Sequence, residues 1–223
     1  MRALAEGLWV AERPFSLLGI RLGGRMTIVR LADGSLVLLS PIPIDDGMAA
    51  ELNALGEVRF LVAPNLFHHL ALPEVARRYP DAQVLAPPGL ERKRPDLRID
   101  MPLDGTAPAA WAGTLAPFPI DGAPLLRETV FLHRPSRTLV CTDLVFHFRE
   151  ADHLPTRLYL RLNQALGKAA QTRITRSAFR DRAAARASLD RLLAEDFDRL
   201  VVAHGAVLES GGREALRHAT SWL

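Results

Sequence analysis

Cysteine is almost absent. Cys141 stands alone in 223 residues, which excludes an intramolecular disulfide and any metal site built from several thiolates. Aromatic residues are sparse at 6%, too few for the stacking platforms of a nucleic-acid-binding surface. No apolar run approaches the roughly 20 residues that a membrane span requires. The N-terminal Met1-Arg2-Ala3-Leu4-Ala5-Glu6 lacks the apolar centre of an export signal. A cytoplasmic protein with neither nucleic-acid nor membrane partners is therefore expected. Gly19 to Gly24 has no phosphate-loop spacing, and no Gly-x-Ser-x-Gly elbow occurs anywhere. Nucleotide-dependent and serine-hydrolase chemistries lack their signatures.

What is present is an ordinary globular composition, 48% hydrophobic and 24% charged, with a formal net charge of +3. That is enough apolar material for one domain spanning 1–223. Strand patterns cover residues 8–12 and 26–40, the latter folding at Asp33-Gly34 into a hairpin. Asp45-Asp46 supplies N-cap chemistry for a helix closed by Gly56. The unbroken apolar run at 58–63 predicts a strand covered on both faces. A helix follows at 72–79 and a strand at 82–86. Residues 87–125, rich in Pro, Gly and charge, read as an irregular excursion. A second hairpin joins strands at 128–133 and 138–142. Residues 155–195 read as helical with a break near 172–175, then come a strand at 200–203 and a terminal helix from Gly212. The layout is mixed α/β, with a sheet in each half and helices outside.

Chemistry-bearing residues sit just beyond three of these strands: His68-His69 after 58–63, Asp143 after 138–142, and His204 after 200–203. Ligands of open α/β sheets bind at such C-terminal strand ends. Three imidazoles and one carboxylate form a donor set for a single Zn²⁺ or Fe²⁺ ion. Each residue alone has an ordinary explanation, a hydrogen-bonding loop histidine or a helix cap. Glu128 lies across the second hairpin from Asp143 and is a candidate fifth ligand or general base. His133, five residues further along that strand, is expected to be structural and to pair with the turn at 134–137. His147, His153 and His218 read as surface residues, and Cys141 as core. Nine basic residues between Arg157 and Arg191 read as a solvated face, with steering of an anionic substrate or binding of an acidic partner as the alternatives. Arg92 and Lys93 are candidates for holding an anionic substrate.

The order of a strand, a histidine cluster, a hairpin ending in Thr142-Asp143-Leu144-Val145-Phe146, and Val201-Val202-Ala203-His204-Gly205 resembles the metallo-β-lactamase-fold hydrolases. Several blocks, from Trp9 through Arg25-Met26-Thr27, Ser40-Pro41-Ile42-Pro43, Ala63-Pro64-Asn65-Leu66-Phe67-His68-His69 and Pro87-Pro88-Gly89-Leu90 to His133-Arg134-Pro135-Ser136-Arg137-Thr138-Leu139, are similar to the DUF4336 family. The resemblance implies a four-layer αβ/βα sandwich with metal between the two sheets. It also exposes a departure from the superfamily motif H-x-H-x-D-H. With its last histidine on His69, Pro64 and Leu66 stand where the first two histidines belong, and His68 stands where the aspartate belongs. The resemblance thus implies one metal ion, held by His68, His69, Asp143 and His204. The expected activity is hydrolysis of a small ester, thioester or phosphoester by metal-activated water, with Asp143 orienting it and Glu128 relaying protons. A metal-stabilised binding or regulatory protein and an iron-dependent redox protein are the alternatives. Substrate and oligomeric state are not legible.

Overall fold

The computed structural model describes residues 1–223. The first half runs β1 (Arg2–Ala5), β2 (Leu8–Arg13), the small hairpin β3 (Ser16–Leu17) and β4 (Ile20–Arg21), β5 (Gly24–Arg30), β6 (Leu36–Leu39), α1 (Asp46–Leu55), β7 (Val58–Val62), α2 (Leu72–Arg78), β8 (Gln83–Ala86), α3 (Leu90–Lys93) and β9 (Met101–Pro102). The second half runs β10 (Leu115–Pro119), β11 (Thr129–His133), β12 (Thr138–Val140), β13 (Phe146–Phe148), α4 (Leu154–Leu162), β14 (Lys168–Ala170), α5 (Arg173–Ser177), α6 (Arg182–Leu193), β15 (Arg199–Val201) and α7 (Gly212–Thr220).

Strands β1, β2, β5, β6, β7, β8 and β9 form one sheet in that order, and β10, β11, β12 and β15 form a second. Two-residue alternation builds the layers. Val29, Val37, Leu39, Phe60, Val62 and Leu85 of the first sheet meet Phe131, Val140 and Val201 of the second in a central core. Their neighbours Ile28, Leu36, Leu38, Leu61 and Val84 point outward onto α1 and α2. Val130, Leu132, Leu139 and Leu200 point outward onto α6 and α7. Strands buried on both faces read as continuous apolar runs, which is why Val58–Val62 carries no polar alternation. Trp111 plugs the space between the sheets, its ring edge-on to Phe60 (5.6 Å) and tilted against Phe131 (6.1 Å). The four-layer αβ/βα sandwich is as expected.

Asp45 caps α1 by accepting the Met48 N–H (2.8 Å), as its sequence context predicts. Two expectations need correction. The excursion 87–125 contains β10, a five-residue edge strand paired antiparallel with β11. Pro117 and Pro119 obscure it, since proline cannot donate to a ladder and is tolerated only where a strand has no further neighbour. The segment 155–195 is not simply helical, because β14 lies inside it and pairs with β13. No helix is long and apolar enough to cross a membrane.

Candidate metal centre

His68, Asp143 and His204 each bring a ligand atom to one place, all within 4.8 Å of one another. His68 comes from the turn after β7, Asp143 from the turn after β12, and His204 from the turn after β15. The Nε2 of His68 is 3.3 Å from Asp143 Oδ2, and the Nε2 of His204 is 3.6 Å from Oδ1.

Both imidazoles are held by their other nitrogen. His204 Nδ1 donates to the Gly23 carbonyl (2.7 Å) and His68 Nδ1 shares a hydrogen bond with Ser40 Oγ (2.7 Å). The carbonyl fixes the His204 tautomer with its proton on Nδ1, and the Ser40 hydroxyl, which can donate or accept, orients the His68 ring, so both rings present Nε2 to the centre. Ser40 reaches this position from a left-handed backbone, φ 55°, a conformation that non-glycine residues adopt chiefly where surrounding structure enforces it. Phe146 stacks on the His204 ring at 5.3 Å. Arg25, buried on β5, donates to the carbonyls of Val202 and Gly205 and pairs with Glu12, so the turn carrying His204 is clasped from the first sheet.

Asn65 links the other two ligands. Its Oδ1 accepts the N–H groups of Phe67 and His68 (2.8 and 2.9 Å) while its Nδ2 donates to Asp143 Oδ2 (2.8 Å) and Thr142 Oγ1 (3.0 Å). It is fully buried, the environment in which a polar side chain must be satisfied. Sequence reasoning gave Asn65 no role beyond its place in the block 63–69. Its position directly before a histidine turn was the available signal. Arg25, Ser40 and Gly23 carried no local signal, since their partners lie far away in the chain.

Glu128 does stand opposite Asp143, as the hairpin geometry predicts, but outside the cluster of three. Its two oxygens accept the backbone N–H groups of Thr142 (2.7 Å) and Asp143 (2.8 Å). Both acceptors face the turn, so the carboxylate positions Asp143. Burial and the neighbouring Asp143 charge push Glu128 up to about 7. Asp143 is held down to about 2 although burial opposes it, because His68, His204 and Asn65 all favour its charged form. Burial draws His204 below its ordinary value. Burial acts on His68 in the same sense, but the charges of Asp143 and Glu128 outweigh it and raise that group.

His69 lies outside the cluster of three. Its Nδ1 accepts a hydrogen bond from Arg94 Nη1 (3.0 Å). Burial and the cations Lys93 and Arg94 lower its pKa. The structure therefore brings together His68, Asp143 and His204, and leaves His69 outside. Lys93 donates to the Leu66 carbonyl (2.6 Å) and lies over the Phe67 ring (4.7 Å), bracing the loop that leads to His68, whereas Arg92 is exposed. His133 pairs with Ser136 Oγ (2.6 Å) as expected. His147 is not a surface residue: it is buried and donates from Nδ1 to the Ala206 carbonyl (2.8 Å).

Two oriented imidazoles and a carboxylate whose charged form its neighbours favour fit a divalent transition metal by the chemistry of the donors. Residues 5–90 match a family described as Domain of unknown function (DUF4336). That stretch carries His68 but neither Asp143 nor His204. No curated protein sequence is similar. Among solved structures, a metallo-β-lactamase from Pontibacter korlensis is similar over 97% of this chain and 94% of its own, with 14% identity and a TM-score of 0.66. The metallo-β-lactamase FIM-1 from Pseudomonas aeruginosa, described in its mono-zinc form, is similar over 99% and 94%, with 13% identity and a TM-score of 0.65. One from Erythrobacter litoralis is similar over 99% and 95%, with 16% identity and a TM-score of 0.65. This chain has the metallo-β-lactamase fold, and over residues 5–90 its sequence matches the DUF4336 family.

Proposed function

We propose that this protein holds one divalent transition metal ion, zinc or iron, through His68, Asp143 and His204, and hydrolyses a small anionic ester, thioester or phosphoester. The observation that supports this most is the convergence of three donor atoms within 4.8 Å from three separate strand ends. When bound, such an ion supplies a Lewis acid and acidifies water. The chain's own residues do the rest. His68 and His204 offer Nε2 because Ser40 and Gly23 occupy Nδ1. Asp143 supplies the single negative charge among the donors, leaving a formal charge of +1 that suits an anionic substrate. Asn65 and Glu128 hold Asp143 in place, Asn65 by donating to its carboxylate and Glu128 by accepting its backbone N–H. Arg92, exposed on α3, is the cation available to meet a substrate anion, with Lys93 bracing the loop beneath.

Metal analysis of the purified protein tests the site. About one equivalent is expected, lost in His68→Ala and in His204→Ala and retained in His69→Ala. Turnover of generic phosphodiester, thioester or lactone substrates is expected only with metal. Turnover surviving in the double variant His68→Ala/His204→Ala would dispose of the proposal. Retained metal without turnover of any substrate would favour a binding or regulatory role instead.

The donor set itself favours a second reading. Two histidines and one carboxylate are also the ligands of non-haem iron(II) oxygenases. Purified protein carrying iron, with metal-dependent oxygen consumption, would select the redox role over hydrolysis.

A further inference from the structure

Six large apolar side chains that the fold leaves exposed gather around α4. Leu154, Leu158 and Leu162 lie on the helix, Ile174 at the start of α5, and Leu17 and Leu18 on the β3–β4 hairpin. The three helix leucines recur every fourth residue and so share one face. The hairpin is fastened to the buried side of that helix, where the Arg21 N–H donates to Thr156 Oγ1 (2.8 Å). On the other side, Tyr159 and Leu160 of α4 pack with Ala170, two residues before the Thr172 cap of α5. Leu18 is 95% exposed, so nothing in the chain covers the hairpin tip.

The charges here are one-sided. Between residues 149 and 174, Arg149, Arg157, Arg161, Lys168 and Arg173 oppose only Glu150 and Asp152, a net +3 that equals the net charge of the whole chain. None of these seven side chains takes part in an ion pair within the protein. Most other surface arginines do, for example Arg59 with Asp33 and Arg137 with Asp196. Isolated projecting leucines set among unpaired cations are the composition of a surface that lies on a bilayer.

We propose that the leucine face of α4, with the exposed tip of the β3–β4 hairpin beside it, rests on an anionic lipid surface. Its leucines enter the acyl boundary and its arginines meet the headgroups. This contact lies on the membrane and involves no spanning segment. A second copy of the chain is a poorer occupant, because a two-fold contact would set +3 against +3. An acidic helix from another protein needs a groove to enter.

Flotation of the full chain with lipid vesicles tests this. The protein should float with vesicles of phosphatidylcholine mixed with phosphatidylglycerol, stay behind with phosphatidylcholine alone, and be released by high salt. Leu18→Asp/Leu158→Asp and Arg157→Glu/Arg161→Glu should each reduce partitioning by about tenfold or more. Leu125→Asp, at an exposed site in another loop, should leave it unchanged. Matching thermal melts would show that the variants fold. Absence of flotation with anionic vesicles, or flotation indifferent to both double variants, would overturn the proposal. So would a dimer in sedimentation that Leu158→Asp dissociates, or capture by immobilised polyglutamate without vesicle affinity. These last two results would give the face to a second copy or to an acidic protein.

Discussion

Glu128 shows how much of the centre depends on side chains that touch no ligand. Removing its carboxylate by Glu128→Ala strands the Thr142 and Asp143 N–H groups in a buried turn. A loss of roughly 2–4 kcal/mol in denaturant unfolding is expected from two unsatisfied donors. Ser40→Ala frees the His68 ring at Nδ1, and metal affinity should fall by about 10- to 100-fold on titration with little change in melting temperature. His133 gives a pH dependence remote from the centre. Burial lowers it to about 4, below its ordinary value near 6.5. The folded state therefore favours the neutral ring, its contribution is complete above pH ~6.5, and it is lost as pH falls toward ~4. Urea unfolding across that window should show up to about 3 kcal/mol of acid destabilisation, flattened in His133→Gln. At this scale the sequence was half legible. It located a histidine pair at a strand end but could not say which ring faces inward, because a tight turn decides that through its dihedral angles. Arg94 then fixes the outcome by occupying His69.

Turns, more than strands, carry the functional side chains, and the one after β15 is the most constrained. Gly205 has φ +94°, and a Cβ there would lie 2.1 Å from the His147 carbonyl oxygen. Gly205→Ala must displace either the β13 backbone or the His204 turn. Loss of metal binding together with a melting temperature lowered by several degrees is expected, read by calorimetry with and without added metal. The clash also explains why β13 was not foreseen. Phe146–Phe148 is three residues long and is held by backbone contacts to the His204 turn and to β14, none of which leaves a periodic trace in sequence. Elements with strong local chemistry were plain, such as the Asp33-Gly34 hairpin and the Asp45 cap. An edge strand containing Pro117 and Pro119 was not, because proline reads first as a breaker.

For the molecule as a whole, the two halves adhere through the central layer in which Trp111 is wedged. Trp111→Ala should cost about 3–5 kcal/mol, measured as a shift in the denaturant midpoint at unchanged slope. The layer order was legible because a doubly covered strand must be apolar on both faces, and the strand ends followed from that order. Which distant residues lock the halves together was not legible, since such contacts have no sequence period. Arg25 is one of them. Rooted in the first sheet, its guanidinium grips the peptide carbonyls on both sides of His204 in the second half. Any breathing of the sandwich must therefore pull on that imidazole. Amide exchange at Val202–Gly205 should follow whole-domain opening rather than local fraying, which would make the geometry of the three-residue cluster a gauge of whether the two sheets are closed.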